Sequence, residues 1–229
     1  MDLPEALSYY FPTYALDLIG FGKSDKPTEL KYGIPEFVEL VRNFIDKVIT
    51  PIKMITLIGH SLGGYIACEF AIRYHLFTRS LVLIDSSGML HGPTALLREY
   101  LTVAMNPSYD ESMSVFKKMV VNPIFVSPLL ANIFMMNISN SQAKNAFKLT
   151  LENSTNTQLD IDRLGNLKVP TLIIWGAEDN VIPVEHASLF HKTIADSQLK
   201  IIKNVGHAPF IEKPAVTFDI IKKFLVPGE

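Results

Sequence analysis

Short apolar runs alternate with longer amphipathic ones along most of this chain, the pattern of parallel strands joined by crossover helices. Five strands are predicted: Tyr14 to Ile19, Met54 to Ile58, Leu81 to Ile84, Thr171 to Trp175 and Leu199 to Val205. Between the first two, Pro35 opens a helix that sets Phe37, Val41, Phe44, Ile45 and Val48 on one stripe. A second helix starts at Leu62, and two more start near Pro183 and Pro214, the last with Val216, Ile220, Ile221 and Phe224 on its inner face. The expected architecture is an α/β fold, an open and mostly parallel sheet with helices on both faces.

Residues 88–168 break this rhythm. They contain no clear strand and carry helix-start signatures at Ser108 to Glu111 and at Ser139 to Gln142. The stretch is expected to be a helical insertion, dividing the chain into a core of residues 1–87 and 169–229 and a cap of residues 88–168. Six of the eight methionines fall there: Met89, Met105, Met113, Met119, Met135 and Met136. Their flexible thioethers suit either a pocket lining of variable shape or the insertion's own core, and periodicity does not choose between the two.

Composition narrows the class. Among 229 residues, 48% are hydrophobic and 19% charged, so the chain can bury a substantial core. With 21 basic and 23 acidic side chains the net charge is -2, which gives no electrostatic case for nucleic acid. Cys68 is the single cysteine, which excludes internal disulfides and cysteine-based zinc sites and is compatible with a reducing compartment. With no apolar run of spanning length and no basic-then-apolar leader, the chain reads as a soluble, cytoplasmic protein.

Gly22-Lys23-Ser24, straight after an apolar run, looks at first like a phosphate loop. Such a loop needs glycine five places earlier, where Asp17 stands, and a helix directly afterwards, where Asp25, Lys26 and Pro27 read as a turn. A nucleotide is therefore not expected here.

The informative stretch is "MITLIGHSLGGYIACEF". A predicted strand runs into Gly59-His60-Ser61-Leu62-Gly63 and then a helix, the context of a nucleophile elbow. Turning from strand to helix at one residue strains Ser61, and the glycines two positions to either side remove side chains that would collide. The turn lifts the hydroxyl to the positive end of the helix, where the Leu62 backbone N–H can meet a developing oxyanion. A serine needs a base and a carboxylate to orient it. Asp179 lies in the loop beyond one later strand and His207 beyond the next, both at strand carboxyl ends where open α/β sheets collect their chemistry. Asp85, closing the strand "LVLID", is the alternative orienting acid.

Other candidates have plain readings. His60 is expected to pack against neighbours, His75, His186 and His191 to sit at the surface or at helix ends, and His91 to face solvent. Trp175 and Cys68 read as core, and Glu178 as a solvated neighbour of Asp179.

Taken together these stretches resemble the α/β-hydrolase family, specifically its capped esterase-like members and carbon-carbon bond hydrolases. "YALDLIGFGKSDKP" is similar to the family's strand and loop ahead of the elbow, "GHSLGG" to its nucleophile turn, "GAEDNVIP" to its acid loop and "VGHAPFIEKP" to its histidine loop. The resemblance covers essentially the whole chain and implies that Ser61 attacks an acyl carbonyl, His207 relays the proton and Asp179 holds the imidazole. It also implies three further strands before Tyr14 and a His-Gly loop supplying a second oxyanion donor, which this sequence does not contain. An amino-terminally truncated form of a longer hydrolase is therefore expected, with Met1 open as the natural start. The gap beside the elbow strand would be closed by direct pairing, by water or by another chain.

The resulting expectation is a serine hydrolase cleaving an ester or related acyl bond of a small apolar substrate through an acyl-enzyme, with no cofactor and no metal. The alternative is a weak or silent ligand-binding protein with half an oxyanion hole. An acyltransferase is a third possibility.

Overall fold

The computed structural model describes residues 3–49 and 54–226. Met1, open as the natural start, lies outside them. A short helix, α1 (Leu3–Ser8), is followed by an irregular stretch and then by α2 (Ile34–Val48), which has Pro35 in its first turn. Strand β1 (Ile55–His60) leads into α3 (Leu62–Arg73), and β2 (Thr78–Ile84) follows. Five helices then come in succession: α4 (Ala95–Met105), α5 (Tyr109–Met119), α6 (Pro128–Asn137), α7 (Ser141–Thr155) and α8 (Ile161–Gly165). The sheet resumes with β3 (Thr171–Gly176), α9 (Glu185–Thr193) and β4 (Ser197–Ile202), and the chain continues through α10 (Pro209–Glu212) and α11 (Pro214–Leu225).

All strand pairs are parallel and the order is β1-β2-β3-β4. The run Leu81-Val82-Leu83-Ile84 is apolar throughout because both of its faces are covered, as parallel strands require. Leu81 and Leu83 join Ile173, Trp175 and residues of α2, α3 and α9 in the larger core. Val82 and Ile84 point the other way, into a smaller core with Leu7 of α1 and Ile221 of α11. Trp175 is fully buried in the larger core, and its indole N–H donates to the Ile182 carbonyl at 3.0 Å.

Four of the five predicted strands form. Tyr14 to Ile19 does not, and this expectation is corrected: the segment is irregular and leaves Tyr14 53% and Leu16 42% exposed. An apolar run becomes a strand only by joining a ladder, and among the described residues β1 pairs with β2 alone. Direct pairing therefore does not close the gap beside the elbow strand. On α2, Phe37 and Ile45 are buried as expected, whereas Val48 is 54% exposed at the helix end.

Among residues 88–168 the structure has helices and no strand. Ser108 caps α5 as its sequence signature indicates, accepting from the Glu111 N–H at 3.3 Å and donating its hydroxyl to the Glu111 carboxylate at 2.6 Å. The second signature is displaced by one residue. Asn140, not Ser139, caps α7, its side-chain oxygen accepting from the Ala143 N–H at 2.7 Å. Asparagine caps as well as serine, so two adjacent cap formers leave the start ambiguous until packing decides it. Asn140→Ala is expected to lower stability by about 1 kcal/mol in urea unfolding, and Ser139→Ala by much less.

Candidate active site

Ser61 occupies the single residue between β1 and α3, at φ 51° and ψ -119°, a region that a residue with a side chain enters only under strain. The surrounding backbone holds it there. Its N–H donates to the Ile84 carbonyl at 3.0 Å, and its own carbonyl accepts from the N–H groups of Gly64 and Ser87, each at 3.0 Å, and from the Ser87 hydroxyl at 3.2 Å. A Cβ on Gly59 would lie 2.2 Å from the Gly63 carbonyl oxygen, and one on Gly64 would lie 2.3 Å from the Ser86 hydroxyl. A Cβ on Gly63 would meet nothing within 4 Å. Of the two glycines flanking the serine, only Gly59 is required by contact, and Gly64 is what brings α3 close to the sheet.

The carboxyl ends of the other strands converge on this turn. In the loop after β3, Asp179 is buried, and its Oδ1 accepts from the N–H groups of Val181 at 2.7 Å and Ile182 at 3.0 Å. Its Oδ2 is 2.8 Å from Nδ1 of His207, which lies in the loop after β4. A carboxylate oxygen only accepts, so Nδ1 carries the proton and Nε2 is left with a free lone pair. The His207 ring lies 4.7 Å, centre to centre, from that of His60, the neighbour of Ser61 in sequence. The Ser61 hydroxyl itself makes no hydrogen bond among the described residues. Leu62 opens α3, so its N–H has no carbonyl one turn earlier to bond within the helix.

Beside Ser61 and Leu62 is a cavity of about 50 Å³. Apolar walls come from Leu90, Leu97, Leu151, Val181 and Ile182, and Thr155 and Thr157 add hydroxyls. None of the six methionines of residues 88–168 lines it; Met113 and Met119 pack on a small core formed by Phe116, Val126 and Ala131.

A family model described as the alpha/beta hydrolase fold matches residues 2–214. This chain belongs to the α/β-hydrolase family. An uncharacterized protein of Mycobacterium bovis is 30% identical over 242 residues, spanning 96% of this chain and 69% of its own length. Lipase 1 of Psychrobacter immobilis is 29% identical, spanning 91% of this chain and 67% of its own. A meta-cleavage product hydrolase from Pseudomonas fluorescens IP01 has a TM-score of 0.89 at 22% identity, over 97% of this chain and 83% of that one, which is a likeness of fold. Relatives of this α/β-hydrolase are themselves hydrolases, which supports an activity of that type.

Within this α/β-hydrolase, the two candidate acids make different contacts. His207 bonds Asp179, whereas Asp85 is fully buried at the end of β2 and its Oδ1 accepts from the Gly176 N–H at 2.8 Å. Donor atoms of Asp85, Asp179 and His207 all lie within 4.8 Å of one another. The facing atoms of Asp179 and His207 are already hydrogen-bonded to each other, so no metal site is assigned there.

The phosphate look-alike is a self-contained turn. The Asp17 carboxylate accepts from the Lys23 N–H at 2.9 Å, taking an amide that a phosphate would need, and Lys26 Nζ donates to the carbonyls of Gly22 and Ser24. His75 and His91 are exposed, and His191 is exposed beside Ser197, its Nδ1 2.8 Å from that hydroxyl. His186 is half-buried, with burial lowering its basicity. Cys68 is a buried thiol whose pKa burial pushes up.

Two acids without a role in the sequence pattern organise the histidine loop. Glu212 is buried, and it accepts from the Gly206 N–H at 2.7 Å and the Val121 N–H at 2.8 Å. Glu178, exposed as expected, nevertheless accepts from the Val205 N–H at 3.0 Å. Glu178 reads in sequence as a solvated neighbour of Asp179, and only the fold brings a backbone N–H to either acid.

His60 is neutral for a physical reason. Burial, and next the neighbouring His207, push its pKa down to about 3, while its Nε2 lies 2.7 Å from the His207 carbonyl, to which it must donate. An unfolded histidine takes up a proton near pH ~6.5, so between there and about 3 the unfolded chain binds more protons. His60 therefore removes stability as pH falls through that window. His60→Gln, which keeps a donor but does not titrate, is expected to flatten the acid side of the stability profile in urea melts at stepped pH. In the same assay Gly64→Ala is expected to destabilise by about 1–3 kcal/mol, while Gly63→Ala is neutral or stabilising by up to about 1 kcal/mol.

Proposed function

We propose that this α/β-hydrolase is a serine hydrolase that cleaves an ester or related acyl bond of a small, largely apolar substrate. The observation that carries this reading is the 2.8 Å bond between His207 Nδ1 and Asp179 Oδ2, beside a serine in a strained strand-to-helix turn. In the proposed mechanism Ser61 Oγ attacks the acyl carbonyl as its proton passes to His207 Nε2. Asp179 holds the ring and stabilises the imidazolium, and the Leu62 N–H donates to the oxyanion. As the bond to the leaving group breaks, His207 returns the proton to it. Water then repeats the sequence on the acyl-enzyme, releasing the acid and restoring Ser61.

Residues 88–168 are assigned as a cap over a core formed by residues 1–87 and 169–229, since Leu97 and Leu151 come from the inserted helices and close one side of the cavity. A cavity of about 50 Å³ holds only a few water-sized groups, which favours short acyl chains. The competing reading, a weak or silent binding protein of the same fold, draws on the single oxyanion donor assigned among the described residues. Losing one such donor removes roughly 2.7–4 kcal/mol of transition-state stabilisation.

A serine-directed phosphonate is expected to label the wild type at Ser61 and leave Ser61→Ala unlabelled. A folded wild type that does not label selects the silent protein. With p-nitrophenyl esters, kcat/KM is expected to be highest for acyl chains of about two to four carbons and to shift towards longer chains in Leu97→Ala. Asp179→Asn is expected to lower kcat by up to about 10⁴-fold.

A further inference from the structure

Asp85 has a place in the fold that the proposed triad does not use. It is wholly buried at the end of β2, in the left-handed region at φ 43°. Its Oδ1 accepts from the Gly176 N–H at 2.8 Å, but its Oδ2 is buried with no hydrogen-bond partner among the described residues. The other carboxylate in reach is that of Asp179, within the 4.8 Å cluster that includes His207. Two ionised carboxylates in this dry setting would repel, and the Asp85 Oδ2 would hold charge without a donor. A single proton on that oxygen removes both difficulties. Asp179 has room to accept it, because its Oδ2 is bonded once, to His207, and a carboxylate oxygen has a second lone pair.

We propose that Asp85 is a positioning residue kept as the neutral acid, whose Oδ2–H donates to Asp179 and fixes the carboxylate that orients His207. The proton stays on Asp85 throughout; no bond to substrate is made and nothing is transferred. This inference rests on the triad reading, since it supplies that triad's acid with a fourth donor.

The electrostatic surroundings agree in direction. Burial first, and then the charge of Asp179, push the Asp85 carboxyl well above the usual carboxylate range, with the Gly176 N–H opposing and the charge of Glu212 adding to the rise. The other titratable groups around the pair are His207, His60 and His186, each of which interacts with Asp179. On β2 itself the charged side chain is Arg79, exposed at the opposite end of the strand. No cation therefore stands on that strand beside Asp85 to favour its ionised form.

Asparagine reproduces the proposed arrangement: its oxygen can accept from Gly176, its amide nitrogen can donate to Asp179, and it tolerates a positive φ. Alanine removes the donor. Three readouts test the idea: kcat/KM against pH on a short-chain ester, the His207 ring titration by NMR, and the infrared carboxylic-acid band of the resting protein. Asp85→Ala is expected to lower kcat by about tenfold or more with KM little changed and to shift the His207 midpoint by more than about half a unit. Asp85→Asn is expected to recover kcat/KM to within about threefold, to return the midpoint to within about 0.3 units, and to abolish the carboxylic-acid band seen in the wild type. A wild type without that band at neutral pH, or an Asp85→Asn midpoint lowered by a unit or more, would mean an ionised Asp85 and overturn the proposal. So would near-normal turnover in Asp179→Asn with loss in Asp85→Asn, which would make Asp85 the orienting acid. The NMR and infrared readings need no turnover. Failure of Ser61 to take up a phosphonate would thus select the silent protein, while the band alone still decides whether Asp85 is neutral. If Asp85→Ala does not fold, the comparison of wild type with Asp85→Asn decides between the neutral and the ionised acid.

Discussion

A parallel strand that turns into a helix within one residue leaves almost no room for side chains, and the architecture around Ser61 follows from that crowding. Gly59 sits where a methyl would strike the Gly63 carbonyl, and Gly64 where one would strike Ser86. With those positions empty, α3 lies against the sheet and the Ser61 carbonyl gathers donors from Gly64 and Ser87. These hydrogen bonds offset a backbone strain of about 1–3 kcal/mol. The same turn leaves the first amide of α3 open beside the serine, so the feature that strains the chain also provides the amide assigned to the oxyanion.

Around that turn, burial favours the uncharged form of two ionisable groups. His60 is stripped of its proton by desolvation and donates to the backbone of His207, and burial pushes the Asp85 carboxyl up, the direction of the neutral acid proposed for it. Asp179, by contrast, accepts from three N–H groups, the environment of a carboxylate. The same burial thus moves His60 down and Asp85 up, in each case towards the uncharged form.

The inserted helices are also tied directly to His207. The His207 N–H donates to the Met119 carbonyl at 2.8 Å, at the end of α5, and Glu212 bridges the amides of Val121 and Gly206. On Gly206 a Cβ would lie 2.3 Å from the Met119 carbonyl oxygen, so glycine is what admits this approach. In the proposed hydrolase, the cap and the histidine loop are one hydrogen-bonded unit, and a displacement of residues 119–121 would carry His207 with it.

Sequence alone determined what local pattern encodes. Apolar runs marked four strands, two of them buried on both faces, proline and cap signatures marked helix starts, and the Gly59-to-Gly63 stretch marked the turn, because burial and backbone strain leave their trace in the residues that bear them. Tertiary structure decided everything that depends on a partner distant in the chain. Tyr14 to Ile19 has the composition of a strand and joins no ladder among the described residues; Asp85 and Asp179 both follow strands, and only the path of the β4 loop gives His207 to Asp179. Glu178 reads as a solvated acid until the Val205 amide reaches it, nothing local marks Glu212 as the acceptor of two loop amides, and Gly63, indistinguishable from Gly59 in the motif, faces open space. The physical reason is the same in each case: a sequence position states what a residue can bond or bury, and the fold alone supplies the atom it meets.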